Sequence, residues 1–250
     1  MIGTILALMI SGYGVVQEPT GAEKPVPGKL ITKMFARYAN ATTVIGTIAM
    51  TQTANGVSVH TRSELQFDRP SKLYLRQVRD GALAGQWLVT SDGSYWSYDR
   101  PDTVDPHLMP PREVELVSQN HKTQTVPDLI DAASHSLGDL NAIIISAVSS
   151  KTRLKAMISQ WSDLTYQGEA TVGNQNLHRI VGAYHNIPSA PQSGDIELLI
   201  NNEGDFVRYK VHQRLSFPKV SAETVEVTTI WESDLKVGGP TNSALYKVVR

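Results

Sequence analysis

Val57-Ser58-Val59-His60-Thr61-Arg62-Ser63-Glu64-Leu65-Gln66-Phe67, then Asp68-Arg69-Pro70-Ser71, then Lys72-Leu73-Tyr74-Leu75-Arg76-Gln77-Val78 reads as strand, break, strand. The side chains alternate with a period of two on both sides, and the break is made of turn-forming residues. Working outward, Val44 to Met50 is a strand, and Asn55-Gly56 is the hairpin signal that joins it to the next. Asp80-Gly81 and Ser91-Asp92-Gly93 are turns that set off strands over 86–90 and 94–98. The first half is therefore an antiparallel meander of about five strands.

Helical spacing brackets this meander. Gly28 to Asn40 carries Leu30, Ile31, Met34, Phe35 and Tyr38 on one face, which predicts an N-terminal helix. After a loop with Pro101, Pro106, Pro110 and Pro111, three helices are predicted. The first has Leu129, Ile130, Ala133 and Leu137 on one face, and the second has Leu140, Ile143, Ile144, Ala147 and Val148. The third places Leu154, Met157, Ile158 and Trp161 at i, i+3, i+4 and i+7. Strands then resume over 164–171, 175–183, 195–201, 205–215 and 224–231, with turns at Gly173-Asn174 and Asn202-Glu203-Gly204.

The fold class is α+β. Strands follow one another in sequence with no βαβ crossover, and one antiparallel sheet of about ten strands must curl. The helices over 126–161 are the obvious cover for its concave side. An apolar trough under a helical lid is a ligand site. The same helices would serve equally to complete an ordinary core.

Of the 250 residues 41% are hydrophobic and 19% charged, with a formal net charge of -1. That is globular, with enough chain for a sizeable core. Nothing in the total favours nucleic acid or an anionic membrane surface as partner. The chain has no cysteine, which excludes disulfides, thiolate catalysis, cysteine zinc sites and a lipid-modified N-terminal cysteine. Ile2 to Ile10 is an uncharged apolar run followed by small residues, and residues 17–27 are polar and proline-rich. This reads as a signal peptide or N-terminal anchor over 1–16, a linker over 17–27 and a single domain over 28–250. The run lacks a preceding basic residue and a clean Ala-x-Ala site, so a buried N-terminal strand or helix is the alternative.

Chemistry-bearing motifs are missing. The seven histidines show no metal-ligand spacing. Asp102, Asp105 and His107 share a proline-rich loop, where a solvated cluster is the simpler reading than a metal site. There is no Gly-x-Ser-x-Gly elbow and no phosphate-cradling loop, Ser149-Ser150-Lys151 is not a Ser-x-x-Lys motif, and no carboxylates are paired in a way that suggests acid–base work. The expectation is a non-enzyme with no catalytic residues, no metal and no cofactor. The aromatics are more telling. Tyr74, Trp87, Tyr95, Trp96 and Tyr98 crowd one region of the first meander, either as cross-strand pairs or as the lining for an apolar ligand.

Residues 45–48, 64–76 and 88–98 resemble the LolA-like superfamily of periplasmic lipoprotein and lipid-binding proteins. They are similar to its strand–turn–strand with Phe67, Arg69, Pro70, Lys72 and Leu73, and to its Asp92-Gly93 turn with Tyr98. Residues 164–173, 177–180 and 196–200 are similar to the second half of that superfamily. The resemblance implies a half-open β-barrel with a helical lid, a periplasmic location, and a hydrophobic ligand such as lipoprotein acyl chains or lipid. On this reading Trp87, Tyr95, Trp96, Leu129, Ile130, Ile143 and Ile144 line the cavity, Arg76 sits at its rim, and the protein is a monomeric carrier. The alternative is a sensor that binds a membrane protein and is modulated by lipid.

Overall fold

The computed structural model describes residues 24–81, 84–99, 112–119, 122–137, 148, 151–185, 193–216 and 224–248. Helix α1 (Pro27–Ala39) is followed by strands β1 (Thr43–Ala54), β2 (Val57–Asp68), β3 (Lys72–Arg79), β4 (Gly85–Asp92), β5 (Tyr95–Asp99) and β6 (Arg112–Leu116). An insert then carries a short hairpin, β7 (Ser118–Gln119) with β8 (Lys122–Thr123), and helices α2 (Val126–Leu137) and α3 (Lys151–Ile158). The second meander is β9 (Trp161–Val172), β10 (Gln175–Tyr184), β11 (Gly194–Ile200), β12 (Phe206–Ser216) and β13 (Thr224–Val237), and a 3-10 turn covers Ser243–Tyr246. Residues 1–16, the loop with Asp102, Asp105 and His107, and the predicted second lid helix with Ile143 and Ile144 lie outside the described residues.

Eleven strands form one antiparallel sheet in the order β6-β5-β4-β3-β2-β1-β13-β12-β11-β10-β9. The two meanders are joined by their first and last strands. β1 pairs with β13 from Val44 opposite Val237 to Ala54 opposite Val227. β6 and β9 are the two edges and do not pair, so the sheet is not closed. The insert between them runs from one edge of the sheet to the other.

Three expectations are corrected. The sheet has one strand beyond the expected ten, because β6 follows the proline loop directly. Its Val114 and Leu116 are exposed, so this edge strand carries no core-facing apolar signal. The third predicted helix stops at Ile158, and Trp161 opens β9 instead. Helix and ring share a helical spacing because both pack into the same core, not because they belong to one element. The last strand runs on to Val237, six residues past its predicted end.

The sheet curls toward the face that carries α1, here called the inner face. β9 and β12 are three ladder spacings apart, roughly 14 Å in a flat sheet. Yet the Trp161 and Tyr209 rings meet at 5.6 Å, and the Trp161 Nε1–H donates to the Tyr209 hydroxyl at 3.1 Å. Burial holds the Tyr209 phenol far above the usual tyrosine range, so it remains a neutral acceptor.

Helix α1 starts at Pro27, where the missing N–H is no loss, and buries Ile31, Met34, Phe35 and Tyr38 at helical spacing. Its C-terminal half grips both meanders. The Tyr38 hydroxyl accepts the Phe206 N–H at 3.1 Å, Arg37 pairs with Asp205, and Lys33 donates to the Asn202 carbonyl at 2.8 Å. From the other meander, Arg69 donates to the Ala41 carbonyl at 2.8 Å and the Tyr38 carbonyl at 3.3 Å, capping the helix end. On the outer face the C-terminal segment crosses the first meander. The Gln66 amide pairs with the Asn242 backbone in both directions, each at 2.8 Å.

The seam between β1 and β13 needs a glycine at position 46. A Cβ there would stand 1.9 Å from the Asp234 carbonyl oxygen, a backbone atom that cannot swing aside, and φ is +149°. Gly46→Ala is expected to cost about 1–3 kcal/mol of stability. Urea unfolding measures it, and an unchanged midpoint would show that the seam tolerates a side chain here.

Candidate ligand-binding face

Strand alternation sorts the predicted lining into two groups. Trp87, Trp96 and Tyr98 fall on the inner face with Leu73, Leu75 and Val89, because their ladder partners do. Leu129 and Ile130 of α2 are fully buried, and these residues belong to one continuous cluster with α1. Trp87, Trp96, Leu129 and Ile130 thus all belong to the buried core of the inner side. Tyr95 neighbours Trp96 in the same strand and therefore points to the opposite face. Arg76 also lies on the outer face, where its Nε donates to Gln86 Oε1 at 3.0 Å and its guanidinium stands 3.6 Å from Glu64. It is not at a rim of the inner face.

The inner face changes character along its strands. At the end covered by α1, Val44 and Gly46 stand opposite Phe67 and Leu65, which in turn oppose Leu73 and Leu75. One rung further, Ile48 has Ser63 on one side and Ser233 on the other, and Ser63 opposes Gln77. At the next rung Met50 lies between Thr61 and Trp231, and Thr61 opposes Arg79. A polar strip therefore crosses the sheet in mid-strand.

This strip is buried but short of partners. Thr61, Ser63 and Gln77 are 3%, 4% and 1% exposed. Gln77 Nε2 donates to Ser63 Oγ at 3.3 Å. Thr61 Oγ1, Gln77 Oε1, Arg79 Nε, Trp231 Nε1 and Ser233 Oγ are shielded from solvent and have no hydrogen-bond partner. A dry, unpaired polar atom costs about 1–3 kcal/mol, and native cores hold few of them. Beside the strip, an apolar row continues across the second meander. Trp231 stacks on Tyr209 at 5.0 Å, and Tyr209 is followed by Leu198 and Ile180.

The strip was missed by reading the strands singly. Its signal is present in three of them at one parity: Phe67 and Leu65 give way to Ser63 and Thr61, Leu73 and Leu75 to Gln77 and Arg79, and Val237 and Leu235 to Ser233. Only the register aligns these switches.

A second concavity of about 580 Å³ lies mostly on the outer face of the second meander. Asp163, Arg179, Glu197, Lys210 and His212 contribute to its lining, and Arg179 pairs with Glu197 at 2.6 Å. Charges that neutralise one another in open solvent do not suit an apolar ligand.

No family model matches the sequence, and no curated protein matches it. Among solved structures, the fold is similar to the Mycobacterium tuberculosis lipoprotein LppX, with 12% identity and a TM-score of 0.43 over 86% of this chain and 96% of that one. It is similar to a chain of the Pseudomonas aeruginosa MucA/MucB complex at 13% identity and TM-score 0.43, covering 88% of this chain and only 60% of the other. A LolA superfamily protein from Nitrosomonas europaea matches at 8% identity and TM-score 0.31, over 91% of this chain and 99% of that one. The functional reading below rests on the residues of the inner face.

Replacing an unpaired shielded hydroxyl by a methyl group, as in Thr61→Val, or deleting it, as in Ser233→Ala, removes a cost without removing a bond. Thr61→Val and Ser233→Ala are therefore each expected to leave the ligand-free protein as stable as before or up to about 1 kcal/mol more so. Loss of more than that in chemical denaturation would mean that the hydroxyls are ordinary satisfied core groups.

Proposed function

We propose that this chain is an extracytoplasmic binding or carrier protein for a hydrophobic ligand, held between the inner face of the sheet and the helices that cross it. The observation that carries this reading is the graded inner face. It is apolar under α1 and becomes a buried polar strip, with unpartnered atoms, one and two rungs away. A purely structural core gains nothing from such a strip. A lining for an amphipathic molecule needs one, since ligand sites combine apolar walls with a few placed polar groups. The unit concerned is residues 28–250, and the apolar run at the N-terminus supports export or anchoring outside the cytoplasm. Trp87, Trp96, Leu129 and Ile130 form the proposed apolar wall, joined by Ile143 and Ile144 from outside the described residues.

Binding, not turnover, follows from the chemistry of the strip. It offers hydroxyls, an amide, an indole and a guanidinium, with no nucleophile–base pair among the described inner-face residues.

The test is to express the full chain in a lipid-rich host, purify it without detergent, and run native mass spectrometry followed by organic extraction. A stoichiometric acyl species is the expected result. Protein that arrives empty and also fails to bind a fluorescent fatty acid would end the carrier reading. Recovery of one stoichiometric membrane protein, with lipid altering only its affinity, would favour the sensor reading instead.

A further inference from the structure

We propose that Arg79, with Thr61 and Gln77, is a head-group site, and that the ligand is an amphiphile with an anionic carboxylate or phosphate head. This rests on the binding reading above and adds the ligand's chemical class.

Arg79 is the charged member of the strip. It lies on the inner face, two residues beyond Gln77 in β3, and its Nε is shielded from solvent without a partner. Among the described residues it makes no ion pair. Across the ladder it faces Thr61 on one side and Gly85 on the other, so the β4 position directly opposite carries no side chain. Arg79 as a whole is half-buried, but a guanidinium cannot shed its charge in a protein, so its shielded Nε–H calls for an acceptor from outside the group. Its planar fork matches carboxylate and phosphate oxygens.

The surrounding atoms point the same way. Of the unpartnered atoms in the strip, Arg79 Nε and Trp231 Nε1 can only donate, and the Thr61 and Ser233 hydroxyls are able to donate. Gln77 Oε1 is the one obligate acceptor among these five. A donor-rich site calls for an acceptor-rich head. An apolar row that suits the tail lies on the same rung, with Tyr209, Leu198 and Ile180 buried in the ligand-free fold. From Met50 the row of Trp231, Tyr209, Leu198 and Ile180 leads away from Arg79 across four strand spacings, roughly 19 Å. Head and tail sites thus share one rung of the inner face.

The experiment uses the delipidated full chain and three probes with the same sixteen-carbon acyl chain: palmitate, palmitoyl lysophosphatidate and methyl palmitate. Tryptophan fluorescence reads binding. At least one anionic probe is expected to bind about 10-fold or more tightly than the neutral ester, the scale of a charge-assisted hydrogen bond. Preference for palmitate alone assigns a carboxylate head, and preference for lysophosphatidate alone a phosphate head. Arg79→Gln should bring the anionic probes down to the level of methyl palmitate, while Arg79→Lys should retain part of the preference. Thr61→Val, which keeps its shape, should weaken the anionic probes more than the ester and serves if Arg79→Gln does not fold. Equal affinity for all three probes, or a preference that survives these changes, would overturn the head-group site while leaving a hydrophobic-ligand carrier standing. Failure of all three to bind would overturn both readings.

Discussion

The pairing of β1 with β13 is the constraint from which the rest of the molecule follows. Each meander alone is a string of hairpins with local register. Zipping the first strand to the last along eleven residue pairs turns two sheets into one. It also decides that β6 and β9 become the edges, and therefore that the insert between them has to cross the sheet. The close approach at Gly46 marks how tightly this seam is drawn, because the backbone of β13 occupies the place a side chain would take.

Helix α1 reinforces the same joint from the inner side. Tyr38, Arg37 and Lys33 hold the β11–β12 turn, while Arg69 reaches from the β2–β3 turn to the end of the helix. These contacts belong to different meanders, so the helix acts as a clasp. It also fills the apolar end of the inner face and leaves the mid-strand rungs to other cover. Stability is concentrated at one end of the strands, where apolar residues face Ile31, Met34, Phe35 and Tyr38.

The mid-strand strip runs against that economy. Shielded hydroxyls and a shielded guanidinium N–H without partners weaken a fold, and proteins keep such weaknesses where function requires them. Here the weakness coincides with the boundary between an apolar wall and a donor-rich surface. That coincidence is what separates the inner face from a plain core and gives the binding reading its physical content. The charged concavity on the other face lacks the boundary, since its ions already answer one another.

The sequence by itself determined the elements. Alternation marked all but one long strand, Asn55-Gly56 and the other turn residues marked the hairpins, and 3.6-residue spacing marked α1 and α2. These signals are local, because a strand's period and a turn's φ are properties of neighbouring residues. The tertiary structure alone decided the rest. Which strands meet at the seam is a choice among alternating strands that look alike in sequence. β6 was invisible because an edge strand turns its apolar residues to solvent, and Trp161 was assigned to a helix because helix and strand bury into the same core. The site shows the same division. Trp87, Trp96, Leu129 and Ile130 could be named from their apolar character, and adjacency already forbade Tyr95 and Trp96 from sharing a face. Thr61, Gln77, Arg79 and Ser233 are ordinary polar residues until the register places them on one level of one face, and register is a long-range property that no single strand encodes.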